Sequence, residues 1–216
     1  MTLQAPNQDQ SHDGSLAGIT GDVLARWLRD KVDDMLPARV VSYDDATNRA
    51  TVQPMVMVGM TDGSALARPN VASVPVFRYG GGGFFIRFPL RPGDLGWIKA
   101  NDRDVSLYLQ AQQQTRPNTR RSHSFSDGIF FPDTLRQWAI AGGDADALVI
   151  QSLDGQTVVA LRQDALHLRQ GTSQIAVTAS AVDITAPLLR HNGVNIGATH
   201  VHGGVTAGGA NTGVPA

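Results

Sequence analysis

The sequence predicts an all-β protein. Two features of composition and one of pattern lead there. All 19 acidic residues are Asp, and all but two of the 18 basic residues are Arg, so the helix-favouring residues Glu and Lys are nearly missing. Gly occurs 23 times, with Ala, Val and Thr recurring throughout, which supplies turn and strand formers in quantity. From Ala145 onward, short alternating segments are broken by turn residues such as Asp154-Gly155, Gly171-Thr172 and Asn192-Gly193.

Composition also narrows function. A 216-residue chain with 42 % hydrophobic and 17 % charged residues is globular. A net charge of −1 gives no electrostatic footprint for nucleic acid. The absence of Cys excludes a disulfide framework and cysteine-ligated metals. The first residues, MTLQAPNQDQSHDGSLAG, lack the basic and apolar regions of a signal peptide. No apolar run approaches membrane-spanning length, so any membrane role is expected to be transient or mechanical.

Residues 1–35 are expected to form an arm and a short helix. Val23, Leu24, Trp27 and Leu28 make an apolar stripe at helical spacing, with Thr20 or Asp22 as the cap and Trp27 as a packing anchor. Strand signals then run over residues 36–110: ARVVSYD and RATVQPMVMVGM as a hairpin about Asp44–Asn48, a loop at Asp62-Gly63, VASVPVFRY, FFIRFPL, LGWIKA and VSLYLQ. Five or six short strands suggest a small Greek-key barrel of the oligonucleotide/oligosaccharide-binding (OB) type; a small sandwich fits the same count. Gly80–Gly83 lies between strands and lacks the Gly-Lys-Ser/Thr of a phosphate loop, so it reads as a hairpin or crossing. Phe84, Phe85, Ile86 and Phe88 beside it serve either a neighbouring subunit or the barrel core.

Residues 111–144 read as a connector wrapped on the barrel, anchored by Phe125, Ile129, Phe130 and Phe131, with one helical turn at Leu135–Ile140. Residues 145–190 carry strands too short to bury a core in one chain, which asks for stacking in a β-helix or between intertwined chains. Val158, Ala160, Ile175, Val177, Val182 and Ile184 are the inward positions of a slender three-fold core in that reading.

Residues 191–216 form the tip, and His200-Val201-His202 is its chemical feature. On an extended strand both imidazoles face one way. One chain offers two nitrogen ligands; three copies about a three-fold axis offer six, which suits an octahedral ion such as Fe(II) better than tetrahedral zinc. His191 reads as a turn or packing residue, and His12, His123 and His167 have no partner at ligand spacing. Arg116, Arg120 and Arg121 make a modest basic patch. Without Glu, a muramidase-type acid is impossible, Asp44/Asp45 and Asp102/Asp104 read as turn formers, and no G-x-S-x-G occurs, so the chain is not expected to be an enzyme.

The segments LPARVVSYDDATNRATVQP, VPVFRYGGGGFFIRFPLRPGDLGWI, RRSHSFSDGIFFPD and GATHVHGGVTAGGANTGVP resemble the central spike proteins of contractile-tailed bacteriophages, the baseplate-hub spikes of the phage Mu kind. The R-P-G-D-x-G turn and the H-x-H-G-G tip carry the resemblance jointly. It implies an all-β fold: an OB barrel followed by a trimeric intertwined β-helix or β-prism shaft with a metal-clamped tip. It implies one iron ion per homotrimer, held by His200 and His202 of each chain. It also implies a virion protein at the distal end of the tail baseplate, in contact with hub or tail-tube proteins, that pierces the host outer membrane when the sheath contracts. Two other readings remain at this level: an OB-type adaptor for nucleic acid or glycan that trimerises through its C-terminal strands, and the spike of a phage-tail-like bacteriocin.

Overall fold

The computed structural model describes residues 15–135, 138, 140–201, 203–204 and 208. The chain divides into two compact units, Met1–Leu135 and Arg136–Ala216. In the first, helix α1 (Leu16–Lys31) precedes strands β1 (Met35–Asp44), β2 (Arg49–Pro54), β3 (Val58–Gly59), β4 (Ala65–Leu66), β5 (Val71–Pro75), β6 (Tyr79–Gly81), β7 (Phe84–Ile86) and β8 (Leu95–Asn101). Helix α2 (Ser106–Ala111) and strand β9 (Ser124–Pro132) complete it.

Five of these strands pair antiparallel in the order β5-β2-β1-β8-β9. The sheet nearly closes: the Phe77 N–H donates to the Phe130 carbonyl at 2.8 Å, and Val76 bridges Phe130 in the parallel sense. A five-stranded, partly open Greek-key barrel is the OB arrangement. Alternation drives it, because every second residue of a strand faces one side. Ala38 and Val40 from β1, Ala50 and Val52 from β2, and Ile98 from β8 are buried together with Val74, Val76 and Phe130.

Several elements differ from the sequence expectation. VSLYLQ alternates like a strand but lies in α2. Leu, Gln and Ala are good helix formers, the Asp104 carboxylate accepts the Ser106 N–H at 2.9 Å to start the turn, and β9 occupies the place beside β8. That fifth barrel strand comes from the segment read as a connector, whose anchor Phe130 sits in the core. MVMVGM does not continue β2, which ends at Pro54; it forms a separate arm with the small β3–β4 hairpin. Helix α1 begins earlier than expected, capped by Ser15, whose Oγ accepts the Gly18 N–H at 3.0 Å. Thr20 instead donates to the Leu16 carbonyl within the helix. Trp27 is no anchor within the chain, being 55 % exposed. The turn expected at Leu135–Ile140 lies partly outside the described residues.

In the second unit, strands β10 (Leu148–Gln151), β11 (Thr157–Leu161), β12 (Ala165–Gln170), β13 (Ser173–Thr178) and β14 (Val182–Thr185) form an antiparallel meander in chain order. A hairpin, β15 (Arg190–His191) and β16 (Val194–Asn195), follows. Asn192 and Gly193 both take positive φ, 49° and 83°, as a two-residue type I′ turn requires. The register corrects one expectation. Val158 pairs with Arg169 and Ala160 with His167, whereas Val159 pairs with Leu168 and Leu168 with Ile175. Val158 and Ala160 therefore lie on the opposite face from Ile175, Val177, Val182 and Ile184.

Candidate functional site

The tip is built on the β15–β16 hairpin. The Gly197 N–H donates to Asn195 Oδ1 at 3.0 Å, and Asn195 Nδ2 donates to Thr199 Oγ1 at 3.0 Å. This turn places the Gly197 carbonyl against His200, which it meets at the backbone N–H (3.0 Å) and at Nδ1 (2.6 Å). A carbonyl only accepts, so Nδ1 carries a proton. A metal-ligating histidine is commonly held in this way, its second ring N–H fixed by a backbone carbonyl. His200 thus fits a metal ligand. His202 lies outside the described residues. His191 sits in β15 opposite Val194. Among the described residues, no three His or Asp side chains gather within one chain as a metal site.

The meander carries a second feature. Two ladders of apolar residues cross all five strands on one face: Ile150–Val159–Leu168–Ile175–Ile184 and Leu148–Leu161–Leu166–Val177–Val182. Eight of these ten side chains are exposed, Leu148 by 68 % and Val182 by 63 %. They leave roughly 700 Å² of apolar surface uncovered, above the ~300–600 Å² of the largest patch on a typical monomer. The opposite face is polar toward β14 and closed near β10–β12. There Asp144, buried, accepts Arg162 Nη2 at 2.7 Å and Arg169 Nη2 at 3.4 Å, which holds its carboxyl below the usual range chiefly through the Arg162 bond.

On the barrel, β6 and β7 form a hairpin whose two-residue turn, Gly82 and Gly83, has φ of 59° and 88°, again type I′. Tyr79, Phe84, Phe85, Ile86 and Phe88 are all exposed, so they do not serve the barrel core. Arg78 stacks 5.5 Å over the Phe85 ring. Asp45 draws in Arg87 Nε at 2.7 Å and Arg78 Nη2 at 2.9 Å. One carboxylate therefore engages both arginines beside the exposed aromatics. In the basic patch, Arg121 is taken by Asp127 (3.0 Å) and Asp104 (3.3 Å). Asp44 and Asp104 do form turns, at Ala46 and Ser106. Among the described residues, no helix is long and apolar enough to cross a membrane.

The sequence had shown the histidine pair and the hairpin glycines. It gave no sign of the Asp144 and Asp45 ion clusters, whose partners are 18 to 42 residues away, nor of the carbonyl that orients His200.

Comparison with known families agrees with both ends of the chain. Residues 36–133 match the family model described as the phage protein Gp138 N-terminal domain. This span takes in all five barrel strands. Residues 198–216 match the GpV apex motif, which includes His200 and His202. Both are families of phage central-spike and baseplate proteins. No curated protein gives a match. The chain thus has the domain make-up of a phage tail spike protein, a structural component of the virion associated with other tail parts.

Proposed function

We propose that this chain is the central spike at the baseplate of a contractile phage tail, and that three copies form the piercing unit. The observation that carries the reading is the uncovered two-ladder face of β10–β14. Three such faces turned toward a common axis bury one another, and the polar faces then meet water. The expected shaft of intertwined strands is this assembly, which also leaves fewer open strand edges. The barrels form a collar against hub or tail-tube proteins, and the β6–β7 aromatics contact the neighbouring copy.

At the apex, His200 and His202 of three chains supply six imidazoles to one iron ion. Bound there, the ion clamps the chain ends, where fraying otherwise begins. The work is mechanical: sheath contraction drives a narrow needle with few open strand edges through the outer membrane once, without catalytic turnover. Its contact with the membrane is transient, and its partners do not include nucleic acid.

Deletion of residues 145–216 from assembled particles tests the reading. Such particles should adsorb to cells yet fail to deliver DNA, or fail to kill if the particle is a tail-like bacteriocin. Delivery or killing at the normal rate would refute the piercing role.

A further inference from the structure

We infer that helix α1 packs across the methionine-rich arm, residues 55–66, of a second copy of this chain. This rests on the proposed trimer and adds what covers two surfaces of the barrel unit.

Helix α1 has the form of a docking element. Leu16, Ile19, Val23, Leu24, Trp27 and Leu28 occupy about half its circumference at 100° per residue, and each is at least 48 % exposed. Together they leave roughly 650 Å² of apolar surface uncovered, more than a lone soluble helix tolerates. A coiled coil of three α1 helices does not fit. The seam begun by Leu16, Ile19 and Val23 would continue onto Arg26 and Asp30. A face this broad, without a seam, suits a groove on a folded surface.

The arm offers such a surface. Met55, Val56, Met57, Val58, Met60 and Leu66 are all exposed. Methionine is flexible and polarizable and shapes itself to an incoming helix. The arm contributes roughly 550 Å². The two faces together total about 1,200 Å², the lower bound of a specific interface, and the contact recurs three times in a closed trimer.

The helix leaves the arm of its own chain uncovered. Only residues 32–34 link α1 to β1, and that link is held. Arg68 pairs with Asp33 at 2.7 Å while its Nε donates to the Val56 carbonyl at 2.8 Å. Asp34 pairs with Lys99 at 2.9 Å, and its carbonyl accepts the Ala100 N–H at 2.8 Å. The base of the helix and the base of the arm are thus tied together, yet the apolar faces of both stay uncovered. The arm of another copy is the matching surface.

The chain has no Cys, so engineered crosslinks are clean. A full-length chain carrying Trp27→Cys and Met57→Cys is assembled alone, or co-expressed with a large excess of wild-type chain, then oxidised and run without reductant. Exchange between copies gives covalent dimers and trimers in the pure assembly, and uncrosslinked monomer in the diluted one. A fast-migrating, internally linked monomer that persists on dilution would overturn the proposal. So would no crosslink in an assembly of three-chain mass, which leaves the trimer standing and assigns α1 to an outside partner. A one-chain mass for the wild-type protein fails the trimer reading itself. Val23→Cys with Met60→Cys repeats the test should the first pair not fold.

Discussion

Gly96 and Phe130 meet so closely that a Cβ at Gly96 would lie 2.5 Å from the Phe130 ring. Phe130 is the largest fully buried side chain of the barrel core. Its strand both pairs with β8 and closes the sheet onto Val76 and Phe77. The second glycine of R-P-G-D-x-G is therefore fixed by packing. The first, Gly93, is fixed by its φ of 96°, and Asp94 completes the turn by accepting the Arg91 N–H at 2.7 Å.

Gly96→Ala is predicted to destabilise the barrel by about 1–3 kcal/mol, the usual cost of overpacking. Phe130→Ala should cost more, about 3–5 kcal/mol. Denaturant unfolding of residues 15–135 reads both. An unchanged midpoint for Gly96→Ala would contradict the packing.

Asp144→Ala is predicted to weaken the meander by about 1–3 kcal/mol, because Arg162 and Arg169 lose their shared carboxylate. Hydrogen exchange of β10–β12 should accelerate while the barrel amides stay unchanged. Uniform loss of protection across both units would show that the effect is not local.

Acid should loosen both units. Hydrogen bonding by Ser106, then Thr119, with Arg121 alongside, holds the Asp104 carboxyl far below the usual range, and Asp144 is lowered by Arg162. A depressed folded pKa contributes stability that is complete above the unfolded value of about 3.9 and is lost as pH falls through the folded one. Melting temperature should be level from pH 7 to about 5 and decline below about pH 4. Asp104→Asn should be less stable at neutral pH and show a shallower decline. An identical acid profile would remove Asp104 from the account.

Metal content should be one ion per three chains, with iron preferred. His200→Ala or His202→Ala should abolish it, and the barrel should keep its stability. Elemental analysis against protein concentration decides this; unchanged metal in the double variant would place the ion elsewhere.

What the sequence made legible follows from side-chain period. In β8 and in β2 as far as Pro54, alternation separates core from surface, and those stretches read correctly. In T-V-V-A-L, residues 157–161, every residue after Thr157 is apolar, so alternation names no face; pairing with Leu166 and Leu168 puts Val159 and Leu161 on the ladder face, whereas Val158 and Ala160, which the sequence reading had grouped with Ile175, are buried on the other. VSLYLQ misled for a related reason, since its period of two was genuine but no sheet position remained for it. The H-x-H motif was plain, while the Gly197 carbonyl that orients His200 had no signal, because a backbone group carries none.

The central claim is that the apolar ladders of β10–β14 join three chains. Sedimentation equilibrium tests it most directly, on the wild-type protein and on Ile175→Asp, which puts a charge within one ladder. The wild type should have a mass of about 69 kDa, three chains of 23.0 kDa, and the variant should associate more weakly, losing trimer mass at concentrations where the wild type stays whole. A wild-type protein that sediments as one chain, or a variant whose association is as strong as the wild type's, would contradict it.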